Sequence, residues 1–166
     1  YRKVCYNLPI DIFFNRIPFL NPLTHENYIK MADHITETTN QILPNEKVDV
    51  VAYGCTSGTI EIGEERIKSE IHKSKSDALI TTPITAAIKA FKLSNFKKIA
   101  VLTPYPKEVN IKVYDYLIKQ GFEIKSFSSF NLNYDSEIAK VTPDSLIQTI
   151  SSIDLGEIDC LFVSCT

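Results

Sequence analysis

Several things that a chain of this size could carry are missing. There is no basic excess: 18 Lys and Arg stand against 20 Asp and Glu, a formal charge of −2, whereas a nucleic-acid surface needs the opposite balance. There is no long apolar run either. The uncharged, apolar-leaning run from Ala78 to Ile88 is interrupted by Thr81, Thr82, Pro83 and Thr85 and is far short of the roughly 20 residues that cross a bilayer. The four cysteines (Cys5, Cys55, Cys160, Cys165) form no C-x-x-C pair, and His25, His34 and His72 fall in no H-E-x-x-H or finger spacing. A structural zinc site is therefore not expected. No Gly/Ser linker, low-complexity segment or signal peptide is visible, although the chain begins at Tyr1 rather than Met, which leaves its true start open. Free thiols in a reducing compartment are the simpler reading, and the expected address is the cytoplasm.

What remains is 166 residues, 44% of them apolar, enough for one ordinary domain, or a small one and part of another, with a real core. Pro9, Pro18 and Pro22 punctuate an aromatic opening segment in which Phe13 and Phe14 could belong to a short strand. Thr24 is positioned to cap a helix whose stripe runs through Tyr28, Met31/Ala32, Ile35, Thr39 and Ile42, ending at Pro44-Asn45. Val48 to Tyr53 reads as a strand buried on both faces. A helix follows from Ser57, with Ile60, Ile67 and Ile71 inward, Glu61, Glu64 and Glu65 early, and Lys68, Lys73 and Lys75 late. Asp77–Thr82 is a second strand and Ile84–Phe91 a helix. Lys98–Thr103 is a third strand, followed by a helix along Val109, Val113 and Tyr116/Leu117 that Gly121 ends at its C′ position. Phe122–Phe130 is a fourth strand. Thr142-Pro143 then opens a helix to about Ile153, and Cys160–Ser164 is the last strand. Strands alternating with helices predict an α/β fold with a parallel, doubly wound sheet.

One pattern repeats. Asp49-Val-Val-Ala-Tyr-Gly-Cys55-Thr56 and Asp159-Cys-Leu-Phe-Val-Ser-Cys165-Thr166 each place an Asp six positions before a Cys-Thr pair, with apolar residues between, and the two cysteines are 110 residues apart. In an open parallel sheet, ligands bind beyond the carboxyl ends of the strands, where both cysteines are expected. A thiol at a helix N-terminus is expected to have a lowered pKa. The free N–H groups there, with the hydroxyls of Thr56, Ser57 and Thr59, suit a carboxylate. Small residues in a tight strand–helix turn account for one such cysteine, but a matched pair points to two thiols facing a bound acid. Tyr105, after Thr103-Pro104 at the same sheet edge, could donate to a substrate oxygen or pack as a rim aromatic. Cys160, five residues from Cys165 and on the other strand face, reads as structural, as does Cys5. The histidines and the acidic helix faces read as solvated surface, with His72 suiting a helix C-terminus.

Val50-Val-Ala-Tyr-Gly-Cys-Thr-Ser-Gly-Thr59, Leu102-Thr-Pro-Tyr105 and Leu161-Phe-Val-Ser-Cys-Thr166 resemble the aspartate/glutamate racemase superfamily, nearest its maleate cis-trans isomerase, arylmalonate decarboxylase and ectoine-utilisation branch. The resemblance runs from about Asn15 onward. It implies Rossmann-like halves related by a pseudo-two-fold axis, here residues 1–95 and 96–166, the second incomplete. It also implies a site between the halves, with no metal, nucleotide or pyridoxal cofactor. The implied function is cofactor-independent cis-trans isomerisation of a small dicarboxylic acid through a cysteine adduct. By motif match Cys55 is the nucleophile and Cys165 the acid/base partner. Thr56, Ser57, Tyr105, Thr166 and, within the Asn131–Asn133 loop, Asn133 are the substrate-binding residues.

Two thiols argue against the decarboxylase chemistry, which uses one. A two-cysteine racemase of an amino acid or related acid stays open, as does an α/β module that binds a small anion without catalysis. The expected partner is a small carboxylic acid, with no nucleic acid or membrane, and self-association is left open. Two departures stand out: Tyr1–Pro9 does not show the family's N-terminal substrate loop, and the chain stops at Thr166, where the first copy continues into a helix. A fragment is expected.

Overall fold

Residues 8–165 are described by the structure, a computed structural model. Cys5, most of the Tyr1–Pro9 opening and Thr166 therefore lie outside the described residues. Phe13 and Phe14 are in no strand: residues 8–24 run without regular structure along the surface, with both rings exposed.

Thr24 starts the first helix among the described residues, α1 (His25–Ala32), its hydroxyl accepting the Asn27 N–H. The expected single helix breaks at Asp33-His34, and α2 (Ile35–Asn40) resumes beyond it. The stripe survives the break, because Tyr28, Met31, Ala32, Ile35 and Thr39 are all buried. Leu43 and Asn45 then adopt left-handed φ of 49° and 65°, and the Lys75 ammonium locks this turn by donating to the carbonyls of Leu43 (2.8 Å) and Glu46 (2.7 Å). Lys75 is thus a buried clasp rather than a solvated charge at the end of a helix.

Strand β1 (Val50–Ala52) leads into α3 (Thr56–Ile62) and α4 (Glu64–His72). The run from Ser57 was expected to be one helix; Gly63, at φ 90° and ψ 136°, divides it. Strand β2 (Leu79–Thr81) follows, then α5 (Pro83–Leu93), begun by a Thr82–Thr85 capping box with Pro at the first turn. Next come β3 (Lys98–Thr103), α6 (Lys107–Lys119), ended by Gly121 at φ 90°, and β4 (Glu123–Ser129). The remaining elements are a short α7 (Asp135–Ile138) inside the expected polar stretch, α8 (Pro143–Ser152), capped by Thr142, and β5 (Cys160–Val163).

All pairings are parallel, as predicted, but they form two sheets: β1-β2, and β4-β3-β5 with β3 central. From Ile99 to Leu102, β3 is at most 1% exposed, the signature of a strand covered on both faces. Strands β1 and β2 differ from expectation. Val50 is 53% exposed and Leu79 72%, because among the described residues each strand has only the other as a sheet neighbour and one face carries no covering element. A single apolar cluster nevertheless runs from Tyr28 and Ile35 through Ile67 and Ile84 to Val101, Val113 and Leu117. It seats α3 against α1 and α6, which brings the carboxyl ends of β1, β3 and β5 to a common edge.

Candidate active site

Cys55 stands between β1 and α3 in an extended conformation (φ −130°, ψ 114°), and its sulfur is the N-cap of α3, accepting the Gly58 N–H at 3.2 Å. The helix therefore starts one residue before Ser57. Helix N-caps use Ser, Thr, Asp or Asn because a side-chain oxygen must reach back to a free N–H; here sulfur fills that role. Thr59 adds a 2.6 Å bond from its hydroxyl to the Cys55 carbonyl, and the Ser57 hydroxyl lies 3.8 Å from the sulfur. Gly58 is required by close approach. A Cβ there would fall 2.8 Å from Met31 Cε, 2.8 Å from the Tyr53 hydroxyl and 2.9 Å from Cys55 Sγ.

The second sheet supplies the facing residues. Tyr105, 1% exposed, follows β3 and has its backbone carbonyl clamped by Asn110 Nδ2 and Ser129 Oγ, both at 2.7 Å. Its hydroxyl lies 2.9 Å from Ser164 Oγ, immediately before Cys165. Cys165 leaves β5 in the left-handed region, φ 58°, a conformation costing a non-glycine residue about 1 kcal/mol or more. Opposite, the Ser57 hydroxyl donates to Tyr28 Oη at 2.9 Å.

These side chains share one cavity of about 340 Å³, whose wall includes Cys55, Ser57, Tyr105 and Cys165, within the size range of small-ligand sites. Thr56 and Asn133 are not part of that wall. Thr56 is buried in the first turn of α3. Asn133 is exposed, with its N–H on Glu137 Oε2 (3.0 Å) and its carbonyl on the Leu23 N–H (2.9 Å). From this loop it is Asp135, two positions on, that reaches the cavity.

Arg16 and Asn15 also stand in the wall, and neither was singled out from the sequence. Asn15 is held by bonds from its Nδ2 to the Thr38 carbonyl (3.0 Å) and Gln41 Oε1 (3.1 Å). Among the described residues, Arg16 is the one cation in the wall and Asp135 the one anion. A guanidinium at a small, largely apolar cavity is chemistry for a carboxylate. The signal that could have found it is the cation itself, standing in an aromatic and proline-rich segment in which Asp11 is the nearest other charge on its N-terminal side.

The electrostatics reverse one expectation. Cys55 was expected to have a lowered pKa; instead burial pushes its thiol up, outweighing the Gly58 N–H and the Ser57 hydroxyl. The helix end supplies an N–H, but α3 is also enclosed by α1 and α6, and desolvation of a thiolate wins. Burial likewise raises Cys165, against a lowering contribution from the Tyr105 hydroxyl. Burial also drives the phenols of Tyr28, Tyr53 and Tyr105 well above their ordinary value, so all three carry their protons. Cys160, on the opposite strand face, packs partly buried against the core.

One surface assignment is overturned nearby. Glu61, expected on a solvated face, has a side chain only 1% exposed, with His25 Nδ1 and Lys112 Nζ each 2.5 Å from its Oε2. His72 is exposed in the last turn of α4, as expected, with its Nε2 3.1 Å from the Ala78 carbonyl. Among the described residues no group of three or more His, Cys, Asp or Glu could hold a metal ion, and no helix is long and apolar enough to cross a membrane.

The arylmalonate decarboxylase family profile matches residues 13–166. A maleate isomerase of Alcaligenes faecalis is 20% identical over 143 residues, 82% of this chain and 56% of the relative. One of Pseudomonas putida is 25% identical over 129 residues, 74% of this chain and 52% of the relative. The chain thus spans about half the length of the curated relatives it matches. Among solved structures, a cysteine-to-serine mutant of Nocardia farcinica maleate cis-trans isomerase, holding a covalently bound succinylcysteine intermediate, superposes with a TM-score of 0.79. It is 19% identical and the match covers 95% of this chain and 67% of that one.

Proposed function

The chain belongs to the arylmalonate decarboxylase family, and from that membership we propose that it carries the two-thiol site of a cofactor-independent cis-trans isomerase acting on a small dicarboxylic acid. The observation that carries this reading is the presence of Cys55 and Cys165 in the wall of one cavity, with Ser57 and Tyr105 as hydroxyl donors. The isomerase names of the curated relatives, and the succinylcysteine in a solved one, support the same reaction class.

In this reading the Cys55 thiolate, its proton released to solvent, adds to one alkene carbon of a maleate-type substrate. The π pair moves to the neighbouring carbon, where the adjacent carboxyl group stabilises it, and takes the proton of the Cys165 thiol. The product is a succinyl thioether whose central bond is now single and rotates. Cys165 thiolate then removes the proton, the pair re-forms the double bond in the trans sense, and the carbon–sulfur bond breaks to release Cys55 thiolate. Proton-bearing hydroxyls near the carboxylates stabilise charge where it develops. Tyr105 fills that role when Ser164 donates to its oxygen and leaves its own proton free, Ser57 does so by turning its proton from Tyr28 Oη, and Arg16 sits where it can pair with the second carboxylate. Thr56, Asn133 and Thr166 remain proposed substrate ligands by motif match, with Thr56 acting through its N–H at the helix start.

Residues 1–95 and 96–166 are read as two Rossmann-like halves with this cavity between them, in a cytoplasmic protein. The deciding experiment is Cys55→Ser, assayed beside the unsubstituted protein. Maleate isomerisation should fall to background, and unchanged turnover would rule the mechanism out.

A further inference from the structure

Tyr53 is 8% exposed, and among the described residues its hydroxyl is the buried side-chain oxygen that has no hydrogen-bond partner. Two residues before Cys55, it leaves the end of β1 on the cavity side, and it forms part of the cavity wall. Its hydroxyl and Cys55 Sγ converge on one point, 2.8 and 2.9 Å respectively from the place a Gly58 Cβ would occupy. The oxygen and the sulfur are therefore closer to each other than the sum of those two distances. Tyr28, beside it, is engaged with Ser57, and Tyr105 with Ser164, so of the three cavity tyrosines only Tyr53 is uncommitted.

A buried donor left unpaired is costly, and native proteins rarely leave one so. An uncommitted O–H on a residue of the cavity wall, beside a nucleophile, is a group waiting for an acceptor. Burial also keeps this phenol protonated throughout the range in which a carboxylate is ionised, so it donates and does not repel. With sulfur and hydroxyl a few ångströms apart, an acid whose carbon is in contact with the sulfur would present its adjacent carboxylate oxygen to the tyrosine.

We propose that Tyr53 is a substrate-binding residue that donates a hydrogen bond to the carboxylate next to the carbon attacked by Cys55. The proposal rests on the two-thiol reading of the cavity and goes beyond it by naming a carboxylate ligand on the first strand, separate from Ser57 and Tyr105.

The test uses Tyr53→Phe in the full chain, with succinate as the probe because it has two carboxylates and no alkene. Iodoacetamide labelling of Cys55, followed by mass spectrometry across a succinate titration, measures occupancy without requiring turnover. In the parent chain succinate should slow Cys55 labelling. In Tyr53→Phe the half-protecting concentration should rise about tenfold or more, the size expected for losing a hydrogen bond to a charged group. Labelling without succinate should keep its pH midpoint, and the melting temperature should hold or rise, because an unpaired buried hydroxyl has been removed. Equal protection of both chains overturns the proposal. So does a shifted pH midpoint with unchanged protection, which makes Tyr53 a thiol-tuning group, or a lowered melting temperature, which means the hydroxyl already had a structural partner. If succinate and maleate both fail to protect the parent chain, the two-thiol reading falls first and the Tyr53 proposal with it.

Discussion

The hydroxyls of Tyr105 and Ser164 lie 2.9 Å apart and are buried, joining residues 59 positions apart in sequence. One follows the central strand and the other closes the edge strand β5, so this bond fixes the exit of the chain that carries Cys165. Tyr105→Phe should leave the Ser164 hydroxyl buried without its partner, at a cost of about 1–3 kcal/mol. Ser164→Ala in the Tyr105→Phe background should recover part of that loss, because both partners are then gone. Urea unfolding of the two variants and the parent measures the cycle; equal destabilisation by the single and double changes would contradict it.

Thiol chemistry here should be slow at neutral pH and faster in base. Burial places the Cys55 thiol above its ordinary value, and only the thiolate is a nucleophile. Iodoacetamide labelling of Cys55 in the folded chain should therefore lag behind that of the unfolded chain at pH 7, rising about tenfold per pH unit until the raised pKa is passed. The stability linkage has the same sign. A raised folded pKa means that the folded state keeps its proton longer, so this contribution is intact below the unfolded thiol value and is lost as pH rises through the folded one. Labelling faster than the unfolded control at pH 7 would refute the assignment.

Gly58→Ala should be damaging out of proportion to one methyl group. The added carbon meets Met31, the Tyr53 hydroxyl and the Cys55 sulfur at less than 3.0 Å, and overpacking of this kind costs about 1–3 kcal/mol. A helical glycine normally gains from replacement by alanine, so the sign of the effect is diagnostic. A melting temperature equal to or above the parent's would show that the close approach is not rigid.

The pair Glu61 and Lys112 should show an asymmetry. Lys112→Met leaves an almost fully buried carboxylate with only His25 beside it, and stranding a buried charge costs about 3–5 kcal/mol. Glu61→Gln instead leaves Lys112 and His25, whose side chains are 42% and 59% exposed and can turn to water, so about 1–2 kcal/mol is expected. The ratio of the two losses in chemical denaturation is the readout.

Which parts were readable from the sequence follows from how local their causes are. The bounds of β3, the Thr24 and Thr142 caps and the Gly121 stop depend on residues within a few positions of one another, and periodicity and capping chemistry reach that far. Gly63 divides a helix whose apolar spacing continues across it, so the pattern carries no trace of the break. Glu61 and Lys75 look like neighbouring solvated charges; they are buried because α6 and the Leu43–Glu46 turn arrive from distant sequence. The paired Cys-Thr motif marked the two thiols, but the direction of their pKa shift depends on how tightly α1, α3 and α6 close around Cys55. Arg16 entered the cavity through a segment without regular structure, where no periodicity exists to be read.

The sulfur of Cys55 is both the stopper of a helix and the atom expected to carry a reaction. A thioether is a poorer acceptor than a thiolate, so each round of adduct formation would slacken the Gly58 N–H, and each release would tighten it again. Covalent occupancy would then register as fraying of the first turn of α3, an internal gauge of turnover visible as faster amide exchange at Gly58. At a pH where the parent's Cys55 is thiolate, a chain alkylated there should lose about 1 kcal/mol of stability by comparison, the usual worth of a helix cap.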